Sequence, residues 1–98
     1  MDNLLATARK DPSLLLRHPI YVHLDKPTSH GWKFWSAATT QDGITLRWAR
    51  YGQKAQEHVL TTGRCRCASP FEELRYRVLD KLRKGYQPDM SKSKLPAV

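Results

Sequence analysis

The stretch from Trp32 to Tyr51, WKFWSAATTQDGITLRWARY, decides the fold. Its two halves are rich in aromatic and threonine residues, which suit a half-buried pleated surface. Between them stands Gln41-Asp42-Gly43, and Asp-Gly tolerates the positive φ that tight hairpins require. The halves therefore read as antiparallel strands, Trp32–Thr40 and Ile44–Tyr51. Side chains alternate along a strand, so Ile44, Leu46, Trp48 and Arg50 share one face and Thr45, Arg47, Ala49 and Tyr51 the other. Gly52 ends the second strand.

Outward from this hairpin, Ile20–Leu24 reads as a preceding strand and residues 26–31 as a loop. Gln56–Thr61 reads as a fourth strand, leading into Thr62-Gly63 and a basic knot, Arg64-Cys65-Arg66-Cys67. A helix follows. Ser69 suits its N-cap, Pro70 its first position, and Glu72 stands three residues past the cap. Phe71, Leu74, Val78, Leu79 and Leu82 recur at helical spacing and form the stripe that faces a sheet. Glu73–Arg77 and Asp80–Lys84 are four apart, worth about 0.3–0.5 kcal/mol each. Gly85 ends the helix. Strands in series followed by a helix predict an α+β domain, an antiparallel sheet of about four strands with one helix laid across it. Residues 1–19 read as an extension with a short helix stopped by Pro12, residues 20–86 as the domain, and residues 87–98 as a flexible basic tail.

The chain has 98 residues, with 17 Lys+Arg against 9 Asp+Glu, a net charge of +8 that favours phosphate polymers or acidic protein surfaces as partners. No apolar run approaches the roughly twenty residues of a membrane span, and the N-terminus lacks the order of a secretory signal, so a cytoplasmic protein is expected. Cys65 and Cys67 are too close for an unstrained disulfide. Neither they nor His18, His23, His30 and His58 show zinc-site spacing, so no metal is expected. There is no Gly-rich phosphate loop and no nucleophile with a recognisable base. The expectation is a protein that is not an enzyme and carries no cofactor.

Trp48-Ala49-Arg50-Tyr51-Gly52 followed by Gln56 resembles the Trp-Gly-Arg-x-Gly…Gln signature of the WGR domain family. Lys33-Phe34-Trp35 stands where that family has Lys-Phe-Tyr, and Lys84-Gly85-Tyr86 closes the following helix. The similarity covers about Ile20 to Tyr86. The family occurs inside poly(ADP-ribose) polymerases and as bacterial single-domain proteins. The resemblance implies an antiparallel sheet with a helix against it and a domain seated on a DNA break near a 5′ end. It also implies that Trp48 packs on the terminal sugar and that Arg50 meets backbone phosphate or partner domains, with Gly52 in the same signature and Lys33 and Gln56 matched beside them. Ala49 departs from the signature glycine. If that glycine lets a nucleic-acid backbone approach, a methyl group would crowd it; if it only relaxes a strand bend, alanine is tolerated.

From the residues alone, Trp48 has two readings, a core ring beneath the helix or a ring presented at a strand end for stacking. Arg50 either pairs with a carboxylate such as Asp42 or Glu57, or reaches an outside anion with its planar fork. Lys54, Arg64 and Arg66 would widen the basic surface. Arg47 and Tyr51 read as the wet side of the sheet, and Arg75, Arg77, Lys81, Arg83 and Lys84 as a solvated helix face. The expected function is sequence-independent binding of DNA ends, nicks or 5′-phosphate structures by Trp48, Arg50, Gly52, Lys54, Gln56, Lys33, Arg64 and Arg66. An adaptor that docks an acidic protein partner is the alternative, and monomer and homodimer both stay open.

Overall fold

The computed structural model describes residues 20–40, 43–65, 70–89 and 91–94. The expected N-terminal helix, the Ser69 cap, Arg66 and Cys67 lie outside these residues. Five antiparallel strands form one sheet in the order β4-β3-β2-β1-β5. They are β1 (Tyr21–Thr28), β2 (Gly31–Thr40), β3 (Gly43–Arg50), β4 (Gln56–Thr61) and β5 (Gln87–Pro88). One helix, α1 (Pro70–Arg83), packs across β2 and β3. The fold class is α+β, as the pattern of strands and then a helix predicts.

The register fixes two faces. Ile44 pairs with Thr39 and Leu60, Leu46 with Ala37 and His58, and Trp48 with Trp35 and Gln56. Val22 and Leu24 extend these rows through Ala37 and Trp35. This is the helix face, where Ile20, Val22, Leu24, Trp35, Ala37, Ile44 and Leu46 form one buried cluster with Phe71, Leu74 and Val78 of α1. Of the expected helix stripe, Leu82 packs at the margin of that cluster. Glu73 is buried too, its carboxylate held by Arg77 at 3.1 Å, four residues on. A buried carboxylate requires such a partner.

The chain after the helix departs from the expected tail. Gln87 and Pro88 pair with Asp25 and Leu24, and Lys94 bridges to Tyr21. Asp89 N–H donates to the His23 carbonyl, and His23 N–H donates to Ser93 Oγ. Residues 87–89 and 91–94 therefore cover the outer edge of the sheet, with Gln87–Pro88 as its fifth strand. Their sequence hides this because the strand is two residues long and contains a proline, which only a sheet edge accepts. What holds it is the unpaired outer backbone of β1 rather than any apolar periodicity of its own.

Gly43 starts β3 against Leu60 and Thr61 of β4, and a Cβ at this position would run into the Leu60 carbonyl. Gly63 faces open space. In urea denaturation, Gly43→Ala is expected to cost about 1–3 kcal/mol, as overpacking does. Gly63→Ala should stay within about 0.5 kcal/mol of wild type.

Candidate nucleic-acid interface

At one end of the sheet the rows on the helix face change from apolar to cationic. After Leu24–Trp35–Trp48 comes Lys26–Lys33–Arg50, three cations side by side across three strands. Like charges placed directly opposite repel. The end of α1 offsets that repulsion. Its last turn closes with Gly85 N–H bonded to the Leu82 carbonyl and Tyr86 N–H to the Lys81 carbonyl, and Gly85 sits at φ 96°. This is the six-to-one closure of a helix whose following residue is left-handed, a conformation glycine adopts without a Cβ penalty.

That closure turns Tyr86 back over the sheet. The ammonium groups of Lys26, Lys33 and Lys81 lie 5.7, 5.5 and 5.5 Å from its ring centroid. Lys26 Nζ also donates to the Lys84 carbonyl at 2.6 Å, at the negative end of the helix dipole. Lys81 lies 5.9 Å from the Trp35 ring as well. Burial first, and then the Lys84 charge, hold the Lys81 ammonium below the usual lysine value; Lys33 and Arg77 add to this and Asp80 opposes it. Two of the neighbouring cations have acid partners, Lys84 with Asp80 at 3.0 Å and Arg77 with Glu73 at 3.1 Å.

Trp48 stands in the middle of this end. Its ring is half-buried and packs on the margin of the core. One cleft beside it, of about 250 Å³, is lined by Lys33, Arg50, Gln53, Lys54, Gln56 and Tyr86 among others. A second, of about 400 Å³, lies toward the helix and includes Arg77, Asp80, Lys81, Lys84 and Tyr86. Trp48 is thus partly buried against the core and lines both clefts. Arg50 is exposed, and among the described residues no carboxylate pairs with it.

Of the residues singled out in the sequence, Trp48, Arg50, Lys54, Gln56 and Lys33 are brought together. Gly52 sits in the turn that closes with Gln53 N–H bonded to the Arg50 carbonyl, and its φ of 87° is what the third residue of a type II turn needs. Its part is to return the chain so that Lys54 and Gln56 flank Arg50. Ala49 lies in regular strand, with its side chain alternating to the face opposite Trp48 and Arg50, and it contributes to the lining of the smaller cleft. Arg64 is elsewhere, in a single 3-10 turn after Thr61. Thr61 pairs with Gly43 and Gln56 with Trp48, so about 17 Å of strand separates Arg64 from the site.

Two features escaped the sequence. Arg77, Lys81 and Lys84, read as a solvated helix face, line the helix-side cleft. Helical periodicity assigned them outward, but α1 ends over the sheet rim, where its flank faces Trp48. The other is a polar cluster on the opposite face of the sheet. His23 Nε2 lies 3.0 Å from Asp25 Oδ1 and 2.9 Å from the Tyr51 hydroxyl. The Tyr51 hydroxyl donates to Asp25, and Lys92 Nζ donates to that hydroxyl at 3.1 Å. Phe34 stacks on the His23 ring at 5.2 Å, leaving His23 buried. His-x-Asp on β1 was the available signal, since alternation puts both on one face.

Burial, and then the hydrogen bond to Asp25, hold the Tyr51 phenol above its usual value of 10.0, while Lys92 pulls the other way. The folded state therefore keeps the phenolic proton longer than the unfolded chain does. The stabilisation is full below pH 10.0 and is lost as pH rises through the raised folded value. An ultraviolet phenolate titration of wild type against Tyr51→Phe is expected to show one late-ionising tyrosine, absent from the variant. No family model, curated protein or solved structure matches the chain, so its functional reading rests on this geometry and on the sequence.

Proposed function

We propose that this protein is a non-catalytic DNA-binding module of WGR type that recognises DNA ends or breaks through phosphate and terminal-sugar contacts, largely without regard to sequence. The observation that supports the reading is Trp48, a partly buried ring that lines two clefts rich in cations, beside an exposed Arg50 that no described carboxylate pairs with. A flat ring flanked by cations suits the last sugar or base of a duplex, whose terminal phosphates run off to either side. Arg50 supplies a two-pronged donor to one phosphate, while Lys33, Lys54, Lys81 and Lys84 supply charge around it. The resemblance of Trp48-Ala49-Arg50-Tyr51-Gly52 to the family signature points to the same two residues as the centre.

Phosphate contacts position a duplex without specifying its sequence. With about four to six phosphates neutralised, log K is expected to fall against log salt with a slope near −4 to −5. Because Trp48 is partly seated on the core, Arg50→Ala is the cleaner probe. It should weaken binding to a 5′-phosphorylated duplex by about tenfold or more, with the folded state unchanged. Fluorescence anisotropy on blunt, 5′-phosphorylated and closed-hairpin duplexes tests the end preference, and equal weak binding to all three would remove it. Capture of an acidic protein partner that survives nuclease, with no DNA binding at any salt, would favour the adaptor reading instead.

A further inference from the structure

The end of the sheet that bears Arg50 and Lys33 carries a second aromatic site on its other face. Pro27 pairs with Trp32 in the sheet register, and Tyr51 N–H bonds the Trp32 carbonyl. Trp32 and Tyr51 are therefore neighbours one residue beyond the cationic row, and alternation turns them to the face opposite α1. An open cavity of about 600 Å³ lies there, lined by Asp25, His30, Gly31, Trp32, Tyr51 and Lys92.

Its chemistry is asymmetric. Trp32 is 51% exposed, and among the described residues its indole has no ring or hydrogen-bond partner. Tyr51 is also exposed, but Lys92 occupies one side of its ring, 5.1 Å from the centroid. Asp25 is the acid of the lining, and it is engaged by His23 and Tyr51. Lys92 contacts the Tyr51 hydroxyl and, at 3.8 Å, Asp89, and its ammonium remains at the exposed surface. The cavity thus offers one free aromatic face, one cation and one carboxylate, Asp25, whose Oδ1 is taken up by His23 and the Tyr51 hydroxyl.

Resting on the proposed DNA-end reading, we infer that this cavity receives single-stranded DNA continuing past the duplex end. Arg50 and Lys33 at the rim carry the backbone over the end of the sheet, one base stacks on Trp32, and Lys92 meets a phosphate. Continuity with the Trp48 site selects this occupant. Lys33 and Trp32 are adjacent in β2, on opposite faces, so a strand held by the first passes the second. Three residues of β2 separate the Trp35–Trp48 row from Trp32, about 10 Å, and the sheet adds about 10 Å of thickness. At the 3.4 Å rise per nucleotide of a duplex strand, the most compact limit, about six nucleotides span that path, so a six-nucleotide overhang is long enough to reach Trp32. The module's preferred substrate is then a break with an overhang rather than a blunt one.

The test compares a blunt 5′-phosphorylated hairpin with the same hairpin bearing a six-nucleotide overhang of either polarity, by fluorescence anisotropy. Wild type is expected to bind the overhang about fivefold tighter or more, the lower limit of one base stacked on an aromatic ring. Trp32→Ala should erase that difference and leave blunt-end affinity unchanged, Trp32→Tyr should keep most of it, and Arg50→Ala should weaken both substrates together. Equal wild-type affinity for blunt and overhanging ends, or a preference that survives Trp32→Ala, would overturn the inference while leaving the end-binding reading intact. Failure of wild type to bind either substrate would overturn both.

Discussion

Tyr86, held among the ammonium groups of Lys26, Lys33 and Lys81, is the contact on which the charged end of this molecule depends. Three lysines from two strands and a helix converge on one aromatic ring. Bare convergence of that kind would push the helix terminus off the sheet, because each ammonium repels the others. The negative face of the ring, together with the Lys84 carbonyl that Lys26 caps, lowers the cost. The ring is there because Gly85 lets the chain reverse direction at the end of α1.

In the proposed reading, this arrangement sets stability against binding. The depressed basicity of Lys81 says that the folded protein holds its charge reluctantly. A fold optimised only for stability would replace such a residue with an apolar one, since it already lies against Trp35 and Tyr86. In the proposed DNA-end reading, a phosphate is the anion that this cation meets. Trp48 carries the same tension, partly a core residue and partly a presented surface. Destabilisation and loss of binding are entangled at Trp48 and separable at Arg50.

The opposite face is organised by other means. His23 is buried on a face the helix does not cover, and what buries it is Phe34, Tyr51 and the returning chain around Ser93. That segment closes one edge of the sheet and delivers Lys92 to Tyr51. The two faces meet at the sheet end, where successive residues of β2 present Lys33 on one side and Trp32 on the other.

The sequence by itself located four of the strands, the hairpin and the helix, but it read the end of β1, Lys26–Thr28, as loop. Their signals are local: alternation in Trp32–Tyr51, the glycine before Ile44, and the Phe71-Leu74-Val78 stripe that closes at Gly85. Strand alternation put Trp48 and Arg50 on one face and the turn at Gly52 put Lys54 near them, while Lys33 and Gln56 came only from the resemblance to the family signature. Tertiary structure alone decided what the helix flank and the terminal segment do. Lys81 and Lys84 become part of a cleft only because α1 stops over the sheet rim, and Arg64 is excluded because β4 runs the other way. Gln87–Pro88 is a strand only because β1 has an open edge. The difference is physical: periodicity reports which side of an element is apolar, but which polar side chains meet depends on where elements end in space, and that is set by contacts between residues far apart in the chain.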